Sequence, residues 1–398
     1  MWTNQLRVAV VGAGISGLTL AAALRRGGLR CEVFEQAEQL AEVGTGVQVA
    51  PNAARLLHRL GLAEHLDAVA VRPRAIQMSR WDDGRPITRT PLGADCERMF
   101  GAPYYAVHRA DLHAGLLALL PPNTVHLGRR CALVQEWSDR VRLSFQDGSS
   151  VSADVLVGAD GIHSVVRGHL AWDAPRFSGE TIYRGLVPAD RVPALLAEPR
   201  VQLWLGPGQH CVAYPVSAGR LVSFGATTPA GEWFPESWSA PGRPEELATT
   251  YRGWHPAVRE LIAAADSVGR WALHDRDPIP RWGRGRITLV GDAAHPMLPF
   301  LAQGANQAIE DAVVLAARLA ALAAAGPASG ADVERALTGY QEVRRPRAEE
   351  VQRRSRANTR ALHLADGAEQ RSRDQQLAGA AGLTSQRWLY GYDAELAA

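Results

Sequence analysis

The sequence predicts an α/β protein: a parallel β/α layer, interrupted by a mostly antiparallel β-sheet and followed by a helical C-terminal segment. Three observations predict it. An apolar run at 6–11 leads straight into a glycine-punctuated helix. Across 172–282 the chain changes to short alternating runs (VQLWLG, CVAYPV, LVSFGA) among many prolines and tryptophans, the pattern of antiparallel strands. The β/α pattern of the N-terminal part returns at RITLVGDAAHP, 286–296, and helical periodicity follows from Gly304. The expected organisation is one domain from 1–71, 101–171 and 283–323, a second from 72–100 and 172–282, and a helical region over 331–398.

A chain of 398 residues, 46% hydrophobic and 21% charged, has ordinary globular composition and length enough for a sizeable core. Lys and Arg number 43 against 41 Asp and Glu, a net charge of +2 that gives no reason to expect a nucleic-acid partner. Cys31, Cys96, Cys131 and Cys211 are widely spaced with no C-x-x-C pair. Neither a metal site nor a disulfide framework is expected, and a reducing cytoplasm suits them. The apolar stretch 8–24 is broken by glycines, closed by Arg25 and Arg26, and lacks a basic start, so a signal peptide and a membrane span are both rejected.

The first motif is local and specific. The strand ends in Gly12-x-Gly14-x-x-Gly17, a helix is predicted over about 15–26, and a second strand at 31–34 ends in Glu35. Gly12 permits the tight turn, Gly14 lets a pyrophosphate approach the backbone, and Gly17 lets helix and strand pack closely. Glu35 can bind both ribose hydroxyls of an adenosine. This is a Rossmann-type dinucleotide site, and the motif itself does not separate NAD from FAD.

The remaining elements follow in order. PNAARLLHRL, 51–60, is a predicted helix; 72–100 is strand-like and irregular, with WDDGRPI as a hairpin. A helix is predicted over 111–120, capped by Asp111 and stopped by Pro121 and Pro122. Strands flank the turn Gln146-Asp147-Gly148, and an apolar strand at 155–157 runs into Gly158-Ala-Asp160-Gly161. Helices are predicted from 304 to about 323 and from 331 to about 363, joined by a flexible turn over 324–330. The second carries Arg344, Arg345, Arg347, Arg353, Arg354, Arg356 and Arg360 with interleaved glutamates, and reads as a solvated or interface face. In GPGQHCVAYPV, 206–216, His210 and Tyr214 stand four apart and on a strand share a face, while Cys211 points to the other and packs. A histidine can accept a proton near neutral pH. The loop of 291–304, holding Pro296 and Pro299, is costly to order unless something sits against its backbone.

Three segments stand in sequence: GAGISG with Glu35, GADGIHSVVR at 158–167, and GDAAHP at 291–296. Together they resemble the single-component FAD-dependent aromatic hydroxylases, the para-hydroxybenzoate hydroxylase-like group. Within it the look is of the salicylate, 3-hydroxybenzoate and 6-hydroxynicotinate enzymes. The resemblance covers nearly the whole chain and implies FAD as cofactor, NADH or NADPH as co-substrate, and O2. It implies insertion of one oxygen atom through a C4a-hydroperoxyflavin into a phenolic or N-heteroaromatic, carboxylated ring. The alternative is a flavin-dependent epoxidase or oxidase tailoring a larger molecule on the same scaffold. A homodimer through the basic C-terminal helix is a further expectation from the resemblance.

The resemblance also implies roles. Asp292 holds the ribityl chain, Arg109 approaches FAD, and Asp160 with Gly161 lies near the pyrophosphate and the pyridine nucleotide. Gly304, Ala305 and Asn306 open a helix whose free amides face the flavin. Pro299 stands beside its reactive edge, so the loop is expected to be shaped by the flavin ring. Gly46 and Val47, in VGTGVQVAPN (43–52), lie along the ring's other side. His210 and Tyr214 bind and deprotonate a phenol, and Arg184 can hold a substrate carboxylate or the nicotinamide cofactor. Gln48 looks like the 3-hydroxybenzoate enzyme, whereas Pro299 departs from it, so the substrate stays split.

Overall fold

The computed structural model describes residues 6–40, 44–229, 241–380 and 382–397. Val43, the first residue of the glycine-rich segment 43–52, lies outside them. A six-stranded sheet runs in the order Gly283–Arg284, Ile287–Leu289, Val155–Gly158, Val8–Val11, Cys31–Phe34, Val125–His126. Pairing is parallel except for the hairpin at one edge. Val8 is in register with Val155 on one side and Cys31 on the other. The central strands Val8–Val11 and Val155–Gly158 are buried along their length, as parallel strands covered on both faces require.

The helix Ile15–Arg26 follows the first strand and packs on the long helix Gly304–Ala324. A Cβ on Gly27 would lie 2.9 Å from the Ala320 methyl, so the two helices meet at small residues.

A second sheet has seven strands, ordered Gly269–Asp275, Arg176–Pro188, Leu221–Pro229, Gln209–Val216, Val201–Gly206, Ala75–Arg80, Pro86–Pro91. It is antiparallel except where Val201–Gly206 pairs with Ala75–Arg80. The WDDGRPI hairpin therefore forms the sheet's far edge. Three shorter strands, Cys131–Glu136, Val141–Phe145 and Ser150–Ala153, make a small antiparallel sheet on the Gln146-Asp147-Gly148 turn.

Three expectations are corrected. Residues 72–100 end in a helix, Ala94–Phe100, rather than irregular chain. Cys96 and Phe100 bury four apart, with Asp95 and Glu97 in the first turn and Arg98 in the last. The helix predicted over 111–120 spans Arg109–Ala118. Asp111 lies inside its first turn and accepts from Ser217 Oγ at 2.8 Å, so it is not the cap.

The basic helix, Gly330–Leu362, is not simply a solvated face. Arg344 is fully buried and ion-paired to Glu310 and Asp311, and Arg347 to Glu310. Two adjacent buried carboxylates on Gly304–Ala324 require counter-charges. The outward Arg345, Arg353 and Arg354 pair with Glu349 and Glu350 instead. Among the described residues no helix is long and apolar enough to cross a membrane.

Candidate active site

Two cavities adjoin between the sheets. The outer one is lined by Gly12, Gly14, Glu35, Asp160 and Gly161. The inner one is lined by Gly46, Val47, Arg184, His210, Tyr214 and Pro299. Arg109, Asp292, Gly304 and Ala305 line both, so a single elongated ligand can pass between them.

In the outer cavity the three glycines do different things. Gly12 has φ +103°, and a Cβ there would sit 2.4 Å from the Ala159 carbonyl. A Cβ on Gly17 would lie 1.9 Å from the Gly12 carbonyl, so only glycine allows that approach. Gly14 has nothing within 4 Å of its Cβ position; its backbone is open to the cavity. Glu35 accepts from the Ala13 amide at 2.8 Å through one oxygen and from the Ala37 amide at 2.9 Å through the other. Each carboxylate oxygen keeps a second lone pair. Asp160 is engaged locally, accepting from Ser164 Oγ and from the Val165 and Val166 amides at the start of the helix Val165–Leu170.

At the junction, Gly291 (φ +59°) turns the chain after Ile287–Leu289 and leaves Asp292 open to the cavity. The surrounding walls raise the Asp292 carboxyl above its usual range, with His295 and Arg109 pulling it back. His295 itself is occupied: Nε2 meets Asp311 at 2.5 Å, which also accepts from the Gly291 amide and from Arg344. The loop that follows is held from behind. Gln352 Nε2 donates to the Pro296 carbonyl at 2.7 Å, Ser355 Oγ to Leu298, and Asn358 Nδ2 to Phe300 at 3.0 Å. One turn-spaced polar stripe thus satisfies the Pro296, Leu298 and Phe300 carbonyls of the loop, and Arg167 does the same for Ala293 and Ala294. The loop, expected to take its shape from a flavin ring, is therefore already held by protein side chains.

Gly304 and Ala305 begin the helix with amides that have no intrahelical acceptor. Asn306 differs. Its side chain is fully buried, accepting from the Ala50 amide and donating to the Gln48 and Ala302 carbonyls. It fastens the strand Gly46–Val49 to the helix and lines neither cavity. That strand pairs with Tyr105–His108, and a Cβ on Gly46 would lie 2.3 Å from the Tyr214 ring.

In the inner cavity, His210 and Tyr214 do share one wall, on Gln209–Val216. Cys211 is buried in the cluster on the opposite face. Burial, and then His363, hold the His210 imidazole well below its usual range, so it is neutral near pH 7. Its Nδ1 lies 2.8 Å from His363 Nε2. Burial raises the Tyr214 hydroxyl, offset in part by Arg184, Gln48 and Ser223. Arg184 packs over Trp271, 5.6 Å from the ring centre, and has no carboxylate partner among the described residues. Burial lowers it, and Arg109 adds to that.

Sequence reasoning misses His363, Glu180 and the stripe Gln352, Ser355, Asn358. Nothing in ALHLAD around His363 marks it, since its partner His210 is 153 residues away. The stripe has a signal, a polar residue every third position in a helix, hidden among arginines.

Residues 5–355 match a family described as FAD binding domain. The chain is 52% identical to 3-amino-4-hydroxybenzoate 2-monooxygenase PtmB3 of Streptomyces platensis, covering 98% of this chain and 97% of that one. It is 36% identical to 6-hydroxynicotinate 3-monooxygenase of Bordetella bronchiseptica, covering 89% and 91%. A solved substrate complex of salicylate hydroxylase superposes with a TM-score of 0.83 at 29% identity, over 99% and 97% of the two chains. The aminohydroxybenzoate group is not among the resemblances that the motifs carry.

Proposed function

The chain belongs to the FAD binding domain family and is an FAD-dependent aromatic monooxygenase with NAD(P)H as co-substrate; from that premise we propose that it hydroxylates an aminohydroxybenzoate. The observation that carries this is one cavity presenting a neutral His210 together with an Arg184 guanidinium that has no carboxylate partner among the described residues. Similarity to the 3-amino-4-hydroxybenzoate enzyme makes that compound the first to test. The relatives favour hydroxylation over the epoxidase or oxidase alternative.

The cavities fit FAD: the open backbone at Gly14, the half-used carboxylate of Glu35 and the uncapped amides at Gly304 lie along one path. Bound FAD, reduced by NAD(P)H, supplies the electrons that activate O2. Glu35 would take the adenosine ribose, Gly12 and Gly14 would let the pyrophosphate approach while Gly17 keeps the helix packed close behind them, and Asp292 and Arg109 would hold the chain between the cavities. Gly304 and Ala305 would offer their free amides to the flavin, with Gly46, Val47 and Pro299 forming the walls around it. Asn306 acts at one remove, by fixing the backbone around the cofactor, whereas Asp160 lines the outer cavity beside Gly161.

Arg184 holds the benzoate carboxylate by charge-assisted hydrogen bonds. In 3-amino-4-hydroxybenzoate, position 2 is ortho to the amine and meta to the hydroxyl. The amine lone pair is therefore the donor conjugated with the attacked carbon. His210 Nε2 accepts the proton that this donor group gives up as the ring is oxygenated, and Tyr214 fixes the ring against Gly46. His210→Ala is expected to leave FAD bound and slow ring hydroxylation by about two orders of magnitude. Wild-type turnover in that variant overturns the assignment.

A further inference from the structure

His210 does not stand alone. Its Nδ1 is 2.8 Å from His363 Nε2, and His363 Nδ1 is 3.1 Å from Glu180 Oε1. The two rings stack with centres 5.0 Å apart and planes 26° apart. Thr227 Oγ1 lies 3.2 Å from both His210 Nδ1 and His363 Nε2 and accepts from the His210 amide at 2.8 Å. Phe300 closes the edge of both rings. The three members come from distant places: the strand Gln209–Val216, the end of the helix Gly330–Leu362, and the strand Arg176–Pro188.

We propose that His363 and Glu180 are positioning residues that set the tautomer of His210 and carry its proton away from the substrate cavity. The logic runs inward from the carboxylate. Glu180 can only accept, so His363 Nδ1 carries the hydrogen and His363 Nε2 has a lone pair. That lone pair accepts from His210 Nδ1–H, which leaves His210 Nε2 unprotonated toward the cavity. When the donor group of the ring loses its proton, the bond to that proton breaks and an N–H bond forms at His210 Nε2. His210 Nδ1–H then passes to His363 Nε2, and His363 Nδ1–H to Glu180. The positive charge never rests in the buried wall beside Phe300. Glu180, with 14% of its side-chain surface in water against 6% for His363, is the end of the line. His363 also caps the C-terminus of its helix, where a transient positive charge is favoured.

This deepens the role given to His210 above and rests on it, yet its first test needs no substrate. In FAD-loaded protein labelled with 15N-histidine, NMR is expected to show His210 and His363 both protonated at Nδ1. Glu180→Gln, which can donate to His363, is expected to shift His210 toward the Nε2-protonated form. His210 protonated at Nε2 in the wild type overturns the proposal, whatever the substrate proves to be. The second test uses His363→Gln and 3-amino-4-hydroxybenzoate. Hydroxylated product per NAD(P)H is expected to fall about tenfold or more with KM little changed, and added imidazole to restore part of it. Unchanged coupling in His363→Gln contradicts the relay.

Discussion

Gln352 Nε2 donates to two buried carbonyls at once, that of Pro296 and that of Arg276, each at 2.7 Å. One side chain on the C-terminal helix thereby ties the loop of 291–304 to the end of the seven-stranded sheet. Gln352→Leu leaves the Pro296 carbonyl without its donor and the Arg276 carbonyl with only the longer bond from Arg356 at 3.2 Å, at a cost of about 1–3 kcal/mol. The expected outcome is a lower melting temperature, with FAD content reduced because the loop under the flavin loosens. Melting curves and FAD absorbance per protein check both.

Arg344 is the central counter-charge of the inter-helix contact, forking between Glu310 and Asp311. Burial alone would raise both carboxyls, but Arg344 and Arg347 at Glu310, and His295 and Arg344 at Asp311, more than offset it and hold them below their usual range. Arg344→Met leaves Glu310 with Arg347 alone and Asp311 with His295 and the Gly291 amide, and is expected to cost up to about 3–5 kcal/mol. Denaturant unfolding reads it directly; a midpoint unchanged from wild type contradicts the buried-pair account.

This contact also shows where the sequence is legible and where it is not. GAGISG with Glu35 is readable because all its partners lie within one βαβ unit, and its three glycines occupy three different steric situations. His210 and Tyr214 are readable because strand periodicity alone puts them on one face. Arg344 is misread from sequence because its partners, on another helix, are 33 and 34 residues away. The interleaved glutamates pair only with the arginines that do face outward. His363 is invisible for the same reason at greater distance.

Acid stability is expected to fail in two stages. His210 is depressed in the folded protein, so its contribution is complete above the ordinary imidazole value of 6.5 and is lost as pH falls below it. Glu310 and Asp311 are also depressed, and their contribution is lost only below the ordinary carboxylate range. Melting temperature followed from about pH 8 down to about pH 3 should show both declines. His210→Asn should shrink the first, leaving the part due to His58, which burial also depresses, and should leave the second unchanged.

Asp292→Ala removes a carboxylate that faces the junction and has no structural hydrogen bond among the described residues. Folding is expected to survive and FAD to be lost on gel filtration. Full FAD retention counts against its place on the ribityl chain.

Arg184→Gln is expected to raise KM for a carboxylated ring by roughly ten- to a hundredfold, the scale of one hydrogen bond to a charged group. The same ring without its carboxylate should be turned over equally by both proteins. A parallel loss on both rings would place Arg184 at the nicotinamide instead.

The central claim is tested most directly by NADH and NADPH oxidation in the FAD-loaded protein, with peroxide and product measured together. The compounds are 3-amino-4-hydroxybenzoate, salicylate, 3-hydroxybenzoate and 6-hydroxynicotinate. The aminohydroxybenzoate is expected to accelerate oxidation, gain one oxygen atom and leave little peroxide. Peroxide equal to the reductant consumed, with no oxygenated product from any of the four rings, contradicts the claim.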